Sequence, residues 1–151
     1  MQSATDVKRL WTVTSTNQPF QASSQARLKA LFDELGSEAR LEAILIQFYE
    51  RMAKDLLLHH FFIGHDPRAV ALQQKNFMLV AMGVRARGHY KGRPPHLAHS
   101  ALPPLFPGHL DRRSILLKDL LQEEGLSADA IKAWVQFERA FFKAILARSS
   151  V

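Results

Sequence analysis

The sequence predicts a single all-α domain, and three observations support this. Apolar residues recur at the three- and four-residue spacing of an amphipathic helix along most of the chain. Capping residues, glycines and prolines divide this pattern into segments of ordinary helix length. No stretch alternates polar and apolar residues with a period of two for long enough to form a credible strand.

Length and composition limit the class of protein. The chain has 151 residues, of which 47% are hydrophobic and 23% charged, so one domain can bury a core of its own. No run reaches the ~20 apolar residues of a membrane span, and the first residues lack the apolar run of a secretory signal. With no cysteine, disulfides, zinc–thiolate sites and thiol catalysis are excluded. We predict a soluble, cytoplasmic protein with no membrane partner.

The net charge of +6 would suit an anionic cofactor, an acidic partner or nucleic acid. The basic residues are scattered, however. Their one dense group lacks the aromatic platform on which nucleic-acid bases would stack. That group consists of Arg85, Arg87, Lys91 and Arg93. We predict no nucleic-acid partner.

The first two predicted helices form a hairpin. An apolar stripe begins at Leu28, Gly36 ends that helix, and Ser37 caps the next one. The second helix has a stripe at Leu41, Ile44, Leu45, Phe48, Tyr49 and Met52.

A third helix opens at Asp66-Pro67, an N-cap followed by proline at the first helical position, and runs towards Gly83. Its inward stripe is Val70, Gln74, Phe77, Met78 and Ala81. A loop with three glycines and two prolines follows over residues 83–95.

The C-terminal part predicts two more helices. One runs from Leu110 to Glu124 and is ended by Gly125, and Ser127 caps the last. This last helix carries Trp134, Phe137, Phe141 and Ile145 on one face. Residues 1–22 are interpreted as an N-terminal extension and residues 23–151 as the folded domain.

Two polar side chains fall on stripes that should be apolar. Tyr49 lies on the second helix and Gln74 on the third. A buried polar group without a partner costs about 1–3 kcal/mol, so each either finds a partner in the core or faces a shared apolar pocket. In such a pocket the phenol and the amide could hold a small polar ligand.

The segment RPPHLAHSALPP, residues 93–104, places His96 and His99 on a short piece bounded by prolines. The spacing of three would suit a metal site, but no nearby Asp, Glu or Cys completes a ligand set. One histidine facing an apolar pocket instead suits the axial ligand of a haem iron.

Five motifs then follow in order: Phe48-Tyr49, Phe61-Phe62, the run Gln74–Met78, Tyr90-Lys91-Gly92, and His99. In these motifs the chain resembles the truncated haemoglobins, from Leu28 to Ile145. The resemblance implies a globin-like two-over-two helical sandwich that binds haem b.

The resemblance also implies residue roles. His99 is the proximal ligand of the haem iron, Phe62 packs on the porphyrin face, and Val70 lies at the distal gate. Tyr49 and Gln74 are the distal donors that act on a bound gas. Further haem contacts are expected from Phe77, Met78 and Tyr90.

Some features leave alternatives open. Tyr49, Gln74 and Val70 are most similar to the first group of the family, but the paired glycines of the family are reduced here to Gly36-Ser37 and Gly83-Val84. The subgroup therefore stays open, as does the choice between a haem contact and a surface position for His96. The four basic residues of the loop are all candidates to pair with the haem propionates.

The resemblance implies binding of dioxygen, nitric oxide and carbon monoxide at a five-coordinate iron. Two distal donors predict slow oxygen release, which favours chemistry over transport: nitric oxide dioxygenase or peroxidase-like activity, with electrons from a separate reductase. Two other classes stay open, a haem-based gas or redox sensor and a haem-free helical interaction module.

Overall fold

The computed structural model describes residues 19–93 and 102–149, with side chains described for 24–93 and 102–147. Most of the predicted extension, and the segment with His96 and His99, lie outside the described residues. The described part contains six α-helices: α1 Pro19–Leu35, α2 Glu38–Lys54, α3 Pro67–Ala81, α4 Pro107–Glu123, α5 Ala128–Arg139 and α6 Phe142–Ser149. Short 3-10 turns, His59–Phe62 and Arg87–His89, precede and follow α3. Since these residues include no strand, the all-α prediction is confirmed.

Local capping sets several of the predicted helix boundaries. Gly36 ends α1 with φ at +88°, a left-handed conformation that favours glycine. The Ser37 side chain then accepts a hydrogen bond from a backbone N–H of the first turn of α2, at 3.1 Å. Asp66 caps α3 in the same way, and Ser127 caps α5. These caps confirm the predicted starts of three helices.

Three boundaries differ from the prediction. α1 begins at Pro19, inside the predicted extension, and α4 begins at Pro107, ahead of Leu110. The prediction of a single last helix is wrong, because α5 ends at Arg139 and α6 begins at Phe142. At this break the Phe141 N–H bonds to the carbonyl of Glu138, only three residues back, so the turn tightens without a proline or glycine.

Two helix pairs surround the core. α2 packs most extensively against α3, and α4 packs on α5. The two pairs are joined because α2 also contacts α4, while α1 covers α5. This is the two-over-two arrangement that the resemblance implies. The largest fully buried side chains come from both pairs and from α1: Leu31, Leu41, Ile44, Leu45, Phe48, Met78, Leu79, Leu117, Leu120, Leu121 and Trp134.

Polar bonds connect the helices at their ends. Glu34 of α1 accepts hydrogen bonds from the Ser127 hydroxyl at 2.6 Å and from the Ser127 backbone N–H at 2.8 Å. Asp55, directly after α2, accepts two from Arg112 of α4, at 2.7 and 2.9 Å. The helix ends are thereby fixed relative to one another. No helix within the described residues is both long and apolar enough to cross a membrane.

Candidate functional site

A cavity of about 340 Å³ opens between α2, α3 and α4, within the range of small-molecule sites. Most of its wall is aliphatic or aromatic: Met52, Leu58, Phe61, Phe62, Val70, Phe77, Leu102, Leu105 and Leu110. Arg93 and Leu102, which flank the segment 94–101, both line it. The chain therefore enters and leaves that segment at the cavity.

The structure brings most of the predicted site residues together. The ones that line the cavity are Tyr49, Phe62, Val70, Gln74, Phe77 and Tyr90. Met78 does not line it, because this side chain is fully buried in the helical core. His99 lies outside the described residues.

Helix periodicity explains why α3 presents three of these residues together. Gln74 follows Val70 by one turn and precedes Phe77 by three residues, so all three share one face. Val70 and Gln74 are half-buried, and Gln73 also reaches the cavity rim. Gln74 and Tyr49 thus line the same cavity, as the predicted shared pocket requires.

Tyr49 is held by a charged side chain that the sequence analysis did not single out. Only 7% of Tyr49 is exposed, and its Oη accepts a hydrogen bond from Nη2 of Arg113 at 3.3 Å. Arg113 is ion-paired with Glu138 of α5, and Glu138 also accepts from the Trp134 indole N–H at 3.4 Å. A buried polar network therefore backs the cavity.

This network sets the ionisation of its members. Burial raises the pKa of Tyr49, outweighing the opposing effect of Arg113. Burial alone would lower the pKa of Arg113, but the nearby Glu138 and Tyr49 raise it above its usual value. The phenol is therefore neutral and keeps its proton, while the guanidinium is charged.

The contacts of Tyr90 explain the structural role of the motif Tyr90-Lys91-Gly92. Its ring packs edge-on against Phe77 with centroids 5.1 Å apart, and its hydroxyl donates to the carbonyl of Arg93. The ring covers Gly92 so closely that a Cβ there would lie 2.5 Å from Tyr90 Oη. A side chain at position 92 would therefore force the Tyr90 ring to move from its place at the cavity.

Two imidazoles that the sequence analysis did not assign to the site also line the cavity, those of His65 and His109. His109 Nδ1 accepts a hydrogen bond from the Phe106 backbone N–H at 3.0 Å. The pKa of His109 is lowered, first by burial and then by His60. The neutral ring therefore carries its proton on Nε2.

Of the four basic loop residues, Arg93 alone lines the cavity. Arg85 is ion-paired with Glu38 instead. No carboxylate side chain is among the lining residues that the structure describes.

Comparisons with known proteins agree with this architecture. The family model described as bacterial-like globin matches residues 30–145. A group 1 truncated hemoglobin of Tetrahymena thermophila is 30% identical over 101 residues, which is 67% of this chain and 81% of the relative. The chain belongs to the truncated haemoglobins, within the bacterial-like globin family.

Two further relatives are similar to about the same extent. The group 1 truncated hemoglobin GlbN of Synechocystis sp. (strain ATCC 27184 / PCC 6803 / Kazusa) is 30% identical over 69% of this chain and 85% of the relative. That of Nostoc sp. (strain MUN 8820) is 29% identical over 70% and 87%. The predicted similarity to the first group is thus confirmed, as is the globin fold.

As a truncated haemoglobin the protein binds diatomic gases such as dioxygen at haem iron. The residues that line the cavity suit a haem group. Phe61, Phe62 and Phe77 supply the broad apolar wall that a porphyrin needs, and Arg93 is a cation at the cavity suited to a carboxylate. Tyr49 and Gln74 supply hydrogen-bond donors to the cavity.

Proposed function

We propose that the cavity holds haem b, that His99 binds its iron, and that Tyr49 and Gln74 act on the gas ligand. The observation that supports this most strongly is the cavity itself. Its wall is mostly apolar, Tyr49 and Gln74 line it as neutral donors, and the residues flanking the segment of His99 line it as well. The segment's eight residues, 94–101, are enough to bring an imidazole to the cavity wall.

The other two cavity histidines are poorer candidates for the iron ligand. An axial imidazole must offer an unprotonated nitrogen to the metal. In His109 the lone pair of Nδ1 accepts from Phe106, which leaves the proton on Nε2. His65 is exposed in the turn before α3, so no packing among the described residues fixes its ring towards the cavity.

Titration of the apo-protein with haemin tests the assignment. We expect an intense Soret band at one haem per chain in the wild type and in His65→Ala and His109→Ala. His99→Ala should lose the five-coordinate ferrous spectrum and regain it with added imidazole. If His109→Ala or His65→Ala loses that spectrum instead, the ligand assignment is wrong, and a colourless wild type would contradict haem binding.

The donors act through the charge of the ligand. Haem iron, when present, supplies the coordination site for the gas and the electron density that makes a dioxygen ligand partly negative. Tyr49 O–H and the Gln74 amide N–H then donate hydrogen bonds in a dry cavity, each worth about 1.5–3 kcal/mol when charge-assisted. We therefore propose slow release of dioxygen, together with binding of nitric oxide and carbon monoxide.

Slow release favours reaction over transport. We propose conversion of nitric oxide to nitrate, in which one nitric oxide, one dioxygen and one electron give one nitrate. We propose that a reductase supplies the electron, because the globin domain itself carries no flavin or nicotinamide chemistry. Multiple-turnover nitric oxide consumption with a chemical reductant, with nitrate measured as product, tests the reaction; a single turnover without recycling would contradict it. The cytoplasmic location stays a prediction.

A further inference from the structure

The charged groups that line the cavity are all of one kind. Within the described residues these are the guanidinium groups of Arg93 and Arg113, and no carboxylate is among the lining residues. Arg93 is exposed on the rim, whereas only 14% of the Arg113 side chain is exposed. Arg113 therefore places a permanent positive charge deep in an apolar wall.

The partner of this cation lies behind it. Glu138 is 7% exposed and does not line the cavity, and its second oxygen faces the indole of Trp134. The ion pair is consequently oriented, with its positive end towards the cavity and its negative end towards the core. Because the surroundings are dry, this orientation produces a stronger field at the cavity than it would in water.

Arg113 also determines what Tyr49 can do. A guanidinium has five N–H groups, and its contacts with Glu138 and Tyr49 use two of them. Since Tyr49 Oη accepts from Arg113, and this is its one hydrogen bond within the described residues, the hydroxyl proton remains to be donated. A charged donor and a neutral donor thus lie side by side at the cavity.

We propose that Arg113 makes the ligand side of this cavity selective for small monovalent anions, of the class of fluoride, azide and nitrite. The selectivity rests on the proposed function, because the anion binds where the gas ligand does. Arg113 supplies the charge, and Glu138 holds the guanidinium in position while partly neutralising it. A ligand site for anions differs from a propionate contact, which would influence haem retention instead.

Spectroscopic titration of the ferric holoprotein with fluoride and azide, at one fixed pH, tests the proposal. Loss of a charge-assisted bond should weaken anion binding about tenfold or more in Arg113→Met. Glu138→Gln should strengthen it several-fold, because the same guanidinium is then no longer neutralised. Binding of the neutral ligands, imidazole to ferric and carbon monoxide to ferrous protein, should change much less in both variants.

The two variants should change anion affinity in opposite directions, and this distinguishes the proposal from a purely structural role of Arg113. If both variants weaken anion binding to the same extent as neutral ligands, Arg113 serves only to hold the fold. If Arg113→Met retains its anion affinity but releases haemin faster, the guanidinium pairs with a propionate and the proposal is overturned. If Arg113→Met fails to fold, Arg113→Lys and Arg113→Gln replace it. The lysine keeps the positive charge without the planar guanidinium, so Arg113→Lys must retain more anion affinity than Arg113→Gln. Failure to bind haemin at all would contradict the proposed function, whereas altered haem binding without an anion effect contradicts only this inference.

Discussion

Tyr49 combines two hydrogen-bonding roles in one atom. Its oxygen accepts from Arg113 at 3.3 Å, and burial raises its pKa so that the proton is kept. The hydroxyl is thus a fixed donor rather than a rotating one, because one lone pair is already committed. An ordered donor loses less entropy when it bonds a ligand.

Replacing Tyr49 by Phe should therefore speed dioxygen dissociation about tenfold to a hundredfold, the loss expected for one charge-assisted bond. Stopped-flow displacement of dioxygen by carbon monoxide measures the rate directly. Tyr90→Phe is the matched comparison, because the Tyr90 hydroxyl is committed to the Arg93 carbonyl, and it should change the rate much less. Equal effects of the two substitutions would show that the phenol of Tyr49 has no special role.

The sequence reveals some of these residues but not all. Tyr49 and Gln74 could be found because each is a polar residue on an apolar helical stripe. Arg113 follows Leu110 by three residues and precedes Leu117 by four, so it too lies in the register of a buried stripe. The signal was present, but a long charged side chain can extend to solvent from such a position. Its partner Glu138, 25 residues away, is defined only by the packing of α4 on α5.

Among the helices, the start of α5 combines a cap with a tertiary bond. Ser127 caps α5 and also bonds Glu34 of α1 through both its hydroxyl and its backbone N–H. Hydrogen bonds from Ser127 lower the pKa of Glu34. Ser37 caps α2 through its hydroxyl, and its side chain makes no such bond to another helix in the part of the chain that the structure describes.

Ser127→Ala should accordingly lower the free energy of unfolding by more than Ser37→Ala, for which loss of the cap alone predicts about 1 kcal/mol. Urea unfolding of both variants, compared with the wild type, measures the difference. The bond between α1 and α5 would contribute nothing if the two losses were the same.

The end of α2 is tied to α4 by a titratable pair. The hydrogen bonds from Arg112 lower the pKa of Asp55, so Asp55 binds its proton less readily in the folded state than in the unfolded state. Its stabilising contribution is present above the ordinary carboxyl pKa of about 3.9. It is lost as the pH falls from there through the lower folded value.

Asp55→Asn should therefore lower stability at neutral pH by about 0.2–1 kcal/mol, the range for a partly exposed ion pair. It should also flatten the loss of stability below about pH 4. Thermal unfolding over a pH series measures both. Arg112→Met should give a similar profile, with the double variant less than additive; a wild-type acid slope in both single variants would contradict the assignment.

Some helix boundaries are determined by neighbouring residues in the sequence, and others by tertiary packing. The starts of α2, α3 and α5 were predictable because each cap is made within its own first turn. The break between α5 and α6 was not, because neither proline nor glycine marks residues 140–141. Around it Phe137 and Phe141 pack on Phe77 of α3. The path of the chain there follows tertiary packing, which the apolar period does not encode.

At the scale of the whole molecule, the same helices supply residues to both the packed core and the cavity wall. The α2–α3 pair directs Phe48 and Met78 into the packed core but turns Tyr49 and Phe77 towards the cavity. An apolar cavity of this size loses van der Waals contacts that a filled core would make. A ligand of matching shape would make these contacts, so a bound group should contribute to stability.

Haemin should accordingly raise the unfolding temperature of the apo-protein. Free ligand at a hundredfold excess over its Kd adds about 2.7 kcal/mol, and a chain of this size gains roughly 2–4 °C per kcal/mol, so an increase of about 5–10 °C is expected. The matched variant is His99→Ala, which keeps the apolar wall but removes the proposed iron ligand, and most of the increase should disappear. Protoporphyrin without iron separates the two contributions, since it can fill the cavity but offers no metal to His99. If haemin and the metal-free porphyrin stabilise wild type and variant equally, shape alone accounts for binding and the imidazole–iron bond adds nothing.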